Sequence, residues 1–213
     1  MGIWSEPVGP AGSMCAEAFQ NVMGNPALEP LEILIRETVQ NSWDARVISR
    51  GDSRVRYEVE HVALTPTQSK EYGKVLFHKV GTKRLVRRPT KNILIIRDFG
   101  TGGLGGGTDP ERDEPSDFTK CVFLFGATKS AGQGAGGSHG FGRSSIFRIS
   151  KDKTILVYSR CKKPVAESRF LGISWKEAYR DKGKSINRTG RHFLVKGANP
   201  KKPTPFTGRQ ADE

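Results

Sequence analysis

Apolar and polar positions change period several times along the chain, and each change marks an element. Residues 25–50 carry a helical pattern: Pro30 stands near the beginning, a long run without helix breakers follows, and Gly51 is placed to end it. A strand is expected over 55–64, after which Thr65-Pro66 supplies an N-cap and a proline at the first helical position, opening a helix to about Phe77. The segment NILIIR at 92–97 is an almost unbroken apolar run of strand length. It delivers Asp98 into the loop FGTGGLGGGTDPERDE. Ser116 caps a short helix beginning DFTKCVFLF, and GATKSAGQGAGGSHGFGR is too rich in glycine to be anything but loop until helix resumes at GRSSIF. Strands of one sheet are expected at 154–159, 168–175 and 192–195. The two ends differ. Residues 1–24, rich in Gly and Pro with no sustained period, read as an arm, and residues 197–213 read as a linker-like tail leading to further domains of a longer chain. One main module over 25–196 lies between them.

Composition narrows the partners. The chain has 213 residues, enough to bury a real core as one domain, and 35 Lys+Arg against 22 Asp+Glu leave a net charge of +13. That balance favours anions: nucleotides, nucleic acid or an acidic membrane surface. Cys15, Cys121 and Cys161 stand singly with no CxxC pair, so neither a disulfide framework nor a structural metal is suggested, and a reducing cytoplasm is the simpler setting. No apolar run approaches the ~20 residues that span a bilayer, and no basic-then-apolar leader opens the chain, so no membrane partner is expected.

The 25–50 helix carries a polar stripe. At ~100° per residue Glu37, Asn41 and Asp44 fall at about 0°, 40° and −20° on one side, the side that also holds Ile33, Leu34 and Ile48. The residues thus interrupt a face that the flanking turns are expected to bury, where unpaired polar groups are costly. A solvated face that happens to align is the plain alternative. The residue types favour chemistry: a carboxylate can polarise a water, and a carboxamide oxygen one turn on suits a hard cation such as magnesium, with Ala45 leaving room for a flat ligand. The segment RETVQNSWDAR resembles the N-box of the GHKL ATPases, the superfamily of gyrase, heat-shock chaperones, histidine kinases, MutL and MORC proteins, matching E-x-x-x-N-x-x-D-A at every position. The resemblance implies Glu37 as general base and Asn41 as the magnesium ligand.

Two glycine segments follow in order. Gly100-Thr101-Gly102-Gly103-Leu104-Gly105 fits G-x-G-x-x-G after a strand, but a Rossmann turn must open a helix, and GGTDPERDEP follows here instead. A Walker A loop also fails, because Thr128 stands before Lys129-Ser130 where glycine is required. Asp98-Phe99-Gly100-Thr101-Gly102 instead resembles the GHKL D-x-G-x-G box, whose aspartate receives the adenine amino group. An ionised carboxylate is acceptor-only, which suits that role, while a tight turn with an acid is the alternative. The box departs from the family in reading FGTGG where many members have NGxG. GGSHGFGRSS resembles the next box, a lid over the phosphates followed by a helix, with Gly137, Gly140, Phe141 and Gly142 as its contacts and Lys129 within reach of a phosphate. Thr189 and Thr154 are two candidates for the threonine that often completes the site, and neither is assigned.

The resemblance covers about residues 28–195. It implies the Bergerat α/β sandwich, with a mixed, largely antiparallel sheet and helices on one face, binding ATP and Mg²⁺. It also implies slow hydrolysis and homodimerisation gated by nucleotide. Within the superfamily the chain is most similar to prokaryotic MORC-like and heat-shock-chaperone-like ATPases, which suggests a role in defence against phage or plasmids. The basic run RLVRRPTK at 84–91 makes DNA an expected partner. The competing class is a nucleotide-sensing or DNA-binding module that does not turn over.

Overall fold

The computed structural model describes residues 1–9, 29–48, 53–76, 79–80, 83–84, 92–123, 142–162, 164–197 and 201–213. Five helices and ten strands are found among them. The helices are α1 (Pro30–Asp44), α2 (Pro66–Leu76), α3 (Asp117–Val122), α4 (Gly142–Ile149) and α5 (Arg209–Asp212). The strands are β1 (Gly2–Pro7), β2 (Arg56–Ala63), β3 (Lys79–Val80), β4 (Lys83–Arg84), β5 (Asn92–Phe99), β6 (Thr154–Cys161), β7 (Glu167–Trp175), β8 (Tyr179–Asp181), β9 (Ile186–Val195) and β10 (Phe206–Thr207).

Every ladder among the described strands is antiparallel. The main sheet runs β6-β7-β9-β1, with β10 beside the start of β7 and β8 beside the start of β9. Strands β2 and β5 form a separate two-stranded ladder in full register from Arg56↔Phe99 to Ala63↔Asn92. The chain is therefore an α+β protein with mostly antiparallel sheets.

Alternation along β7 and β9 sorts the core. Leu171, Ile173 and Trp175 with Phe193 and Val195 point to one face, where Phe118, Val122 and Phe123 from α3 and its end, and Phe147 from α4, cover them. Such a layer of helix on sheet is what burying one face of each strand demands. Leu194 points the other way and packs with Ile3, Phe170 and Tyr72 of α2. Helices are thus not confined to one face, since α2 reaches the side opposite α3 and α4. A polar row crosses that second face, where Thr154, Ser174, His192 and Ser5 stand opposite one another on β6, β7, β9 and β1.

Both ends of the chain depart from the sequence expectation. Gly2–Pro7 is not an arm but the edge strand of the main sheet, paired with β9 and anchored by Arg191 and Thr189, which both donate to Glu6. Residues 201–213 are not a free tail. Lys196 N–H donates to Thr204 O (2.9 Å), Phe206 pairs with Phe170, and Tyr158 donates to Asp212 at 2.6 Å. Helix α1 also ends earlier than Gly51. Ala45 N–H closes on Asn41 O at 3.0 Å, and Arg46 then leaves to bridge Thr101. No helix among the described residues is long and apolar enough to cross a membrane.

Candidate functional site

The site is built where α1 meets the loop after β5. Helix α1 buries Leu34 and Ser42, with Thr38 half-buried between them, a face turned about 90° from the Glu37–Asn41–Asp44 stripe. The stripe therefore borders the packed face and does not interrupt it: Glu37 and Asp44 are half-buried, Asn41 is exposed, and Ile48 is 75% exposed. Asp44 accepts from Gln40 Nε2 at 2.8 Å, so one of its oxygens is engaged within the helix.

The inward face does the joining. Thr38 Oγ1 lies 2.7 Å from the Tyr57 hydroxyl of β2, and Ser42 Oγ donates to Asp98 Oδ2 at 3.0 Å. Thr101 Oγ1 donates to the other oxygen, Asp98 Oδ1, at 2.8 Å, so both oxygens are oriented while the residue stays exposed. Backbone bonds lock the same junction: Gly102 N–H to Ala45 O and Val47 N–H to Gly100 O, each 2.9 Å. The end of α1 and the segment Asp98–Gly102 are thereby one surface. The third motif reaches it through α4, which begins at Gly142 and lies against α1. Lys129, Gly137, Gly140 and Phe141 lie outside the described residues.

The loop beyond Gly102 runs along the edge of the main sheet. Gly103 has φ +68° and sits so close to β6 that a Cβ would come 2.6 Å from Arg160 O, and Leu104 N–H donates to Ser159 Oγ at 2.8 Å. Arg169, buried on β7 under the Phe118 ring, donates from Nη1 to Leu104 O (2.9 Å), from Nη2 to Gly106 O (2.7 Å) and from Nε to Glu167 (3.1 Å). A buried guanidinium with each of its three nitrogens bonded, two to carbonyls and one to a carboxylate, is a rigid brace for a glycine-rich loop.

Ser42, Thr101 and Arg169 are contributions that motif matching missed. Ser42 had a signal, because it falls on the apolar side of the helix with Leu34. Arg169 had another: it shares the inward parity of Leu171, Ile173 and Trp175, so strand alternation alone places a cation in the core. Neither threonine candidate has an idle hydroxyl. Thr189 is buried, donating to Glu6 and accepting from Arg191 N–H, and Thr154 meets Asp152 O and Ser174.

Nucleotide and magnesium suit these donors. Asp98 offers an exposed acceptor beside the Ala45–Gly102 contact, and Asn41 and Glu37, one turn apart, offer a carboxamide oxygen and a carboxylate. No group of three or more His, Cys, Asp or Glu side chains forms a metal cage among the described residues, and magnesium bound with a nucleotide takes one or two protein oxygens, its remaining places going to water and phosphate. In comparisons with known proteins, no family model, no curated protein and no solved structure matches this chain.

Proposed function

We propose that the chain is a GHKL-type ATPase module that binds Mg-ATP and hydrolyses it slowly. The observation that supports this reading above all others is the junction of Ser42 with Asp98 and of Ala45 with Gly102, which joins two motifs far apart in sequence in the order and pairing that an adenine site between helix and loop requires. Asp98 accepts the adenine amino group, its carboxylate held by Ser42 and Thr101. Ala45 and Gly102 leave the ring its space. Asn41 holds magnesium, which when bound neutralises phosphate charge. Glu37 orients the attacking water and takes its proton. The resemblance further implies a lid that closes over the phosphates and a homodimer promoted by closure, with the glycine-rich segment to which it gives the lid lying outside the described residues. A prokaryotic defence role follows from the MORC-like resemblance.

Phosphate release and calorimetry together test the reading. Wild-type protein is expected to bind ATP with magnesium and release phosphate, and Glu37→Ala is expected to keep binding while release falls by at least about 10²-fold. Binding with equal background release in both proteins would establish the non-hydrolysing nucleotide sensor instead. Absence of any binding heat would overturn the nucleotide reading altogether.

A further inference from the structure

Charge is segregated along the strands of the main sheet. At the end where β7 begins, Arg169 holds the glycine loop, and beyond it the chain carries Asp109, Glu111, Asp113, Glu114 and Asp117 against Arg112, with Lys202 paired to Asp109, so acids are in excess there. At the opposite end, where β7 finishes at Trp175, the charge reverses. There the β8–β9 hairpin extends past the end of β7, whose last pairing is Trp175↔Arg191, through Tyr179↔Arg188 to a turn at 182–185. Arg180, Lys182 and Lys184 are exposed on it. The turn between α4 and β6 joins the same end: Trp175 N–H donates to Lys153 O at 3.0 Å and Lys176 Nζ donates to Asp152 O, which brings Lys151 and Lys153 beside the base of the hairpin.

Among the described residues no carboxylate forms an ion pair with Lys151, Lys153, Lys182 or Lys184, and Arg180 meets only the Asn187 carboxamide at 3.2 Å. Three acids share this end: Asp181 is taken by Arg188 at 3.3 Å, and Asp152 and Glu177 stand beside the cations in the chain, so the basic residues remain in excess. The tip, Lys182-Gly183-Lys184-Ser185, carries no bulky apolar side chain and Ile186 beside it, 39% exposed, is a single apolar group, whereas a membrane-seeking hairpin presents several beside its cations. A two-stranded ribbon has the width of a duplex major groove, and five cations spread from its tip to its base suit successive phosphates flanking it.

We propose that this end of the sheet binds duplex DNA, with the β8–β9 ribbon in the groove and Lys151, Lys153, Arg180, Lys182 and Lys184 on phosphates. The surface uses none of the residues of the basic run at 84–91, most of which lie outside the described residues, and it does not depend on the nucleotide reading, because it lies at the far end of β7 from the glycine loop.

Fluorescence anisotropy with a labelled duplex of about 20 base pairs, titrated with the 213-residue chain at several salt concentrations, tests it. Five phosphate contacts predict a slope of log K against log salt of about −4 to −5. The pairs Lys182→Gln/Lys184→Gln and Lys151→Gln/Lys153→Gln should each reduce that slope by about two and weaken binding at least about tenfold at 0.1 M salt. Both pairs are surface changes, and an unaltered circular dichroism spectrum certifies the fold. No duplex binding by the wild type overturns the proposal. So does unchanged binding by both pairs, a loss seen only with Arg87→Gln/Arg88→Gln, or tighter binding to phosphatidylserine vesicles than to the duplex.

Discussion

Ser42 Oγ donates to Asp98 Oδ2 at 3.0 Å, across 56 residues of sequence, from a buried position on α1 to an exposed one at the end of β5. The hydroxyl also donates to Thr38 O at 2.9 Å, so it divides itself between its own helix and the acid. Replacement by alanine leaves the helix bond dispensable and frees one carboxylate oxygen to turn. Ser42→Ala is expected to cost about 1 kcal/mol of stability in urea unfolding. If Asp98 receives adenine, KM for ATP rises several-fold with little change in kcat, because the loss falls on binding shared by ground and transition states.

Two neighbouring glycines separate fold from ligand. Gly100 has φ +82°, and a Cβ there would overlap Arg54 O at the approach to β2. Gly100→Ala combines left-handed strain with a backbone collision, and a loss of at least about 2 kcal/mol is expected. Gly102 has ordinary φ and only Ala45 O near its would-be Cβ, at 3.9 Å. Gly102→Ala should therefore melt within a few degrees of wild type while weakening ATP binding measured by calorimetry. Equal affinity in Gly102→Ala and wild type would separate this glycine from any adenine contact.

Arg169 carries a larger structural share. Its removal leaves two half-buried loop carbonyls without their donor and Glu167, 31% exposed, without its partner, and a loss of at least about 2 kcal/mol is expected. Arg169→Met should accordingly lower the urea midpoint markedly and raise hydrogen exchange at Leu104 and Phe118, whose N–H groups bond to Ser159 and Gly105. Arg169→Lys keeps the charge but cannot span Leu104 O and Gly106 O as a fork, and it is expected to recover only part of the loss.

Much of this architecture was legible locally. The Thr65-Pro66 start was read correctly: Gln68 N–H donates to Thr65 Oγ1, and Thr65 N–H donates back to Gln68 Oε1. Ser116 likewise caps α3, with Thr119 closing a capping box. NILIIR is strand, extended to Phe99, because Asp98 and Phe99 pair with Tyr57 and Arg56. What was not legible is non-local. GIWSEP has no strand period of its own, and only its pairing with β9, almost the whole chain away, makes it one. The chain after Gly197 carries proline and charge, yet Pro203, Pro205 and Ala211 are buried against strands already assembled. At the site the sequence places Asp98 after a strand and Glu37, Asn41 and Asp44 along one side of a helix, whereas the hydroxyls of Ser42 and Thr101 that orient Asp98 depend on a junction between distant segments.

His192 ties stability to pH. It is buried at the centre of the polar row, with Nδ1 3.0 Å from Ser5 Oγ and no hydrogen-bond partner for Nε2, and the Tyr179 ring of β8 packs 6.0 Å away. The groups facing it are cationic: Lys176 at the end of β7 and Arg188 on β9, the latter held by Asp181 and Ser5 O. Burial first, then these two charges, push its pKa from 6.5 down to about 3. The folded protein therefore keeps the ring neutral down to about pH 3, whereas the unfolded chain takes up a proton below about 6.5. The unfolded state binds more protons throughout that window, so stability falls as pH is lowered and is fully restored above it. Between pH 6.5 and 5 the loss is on the order of 2 kcal/mol. Melting curves at pH 7 and pH 5 should show a drop in Tm for the wild type that His192→Gln, which cannot protonate, shows to a lesser degree. A drop of the same size in both proteins would assign the acid sensitivity to other groups.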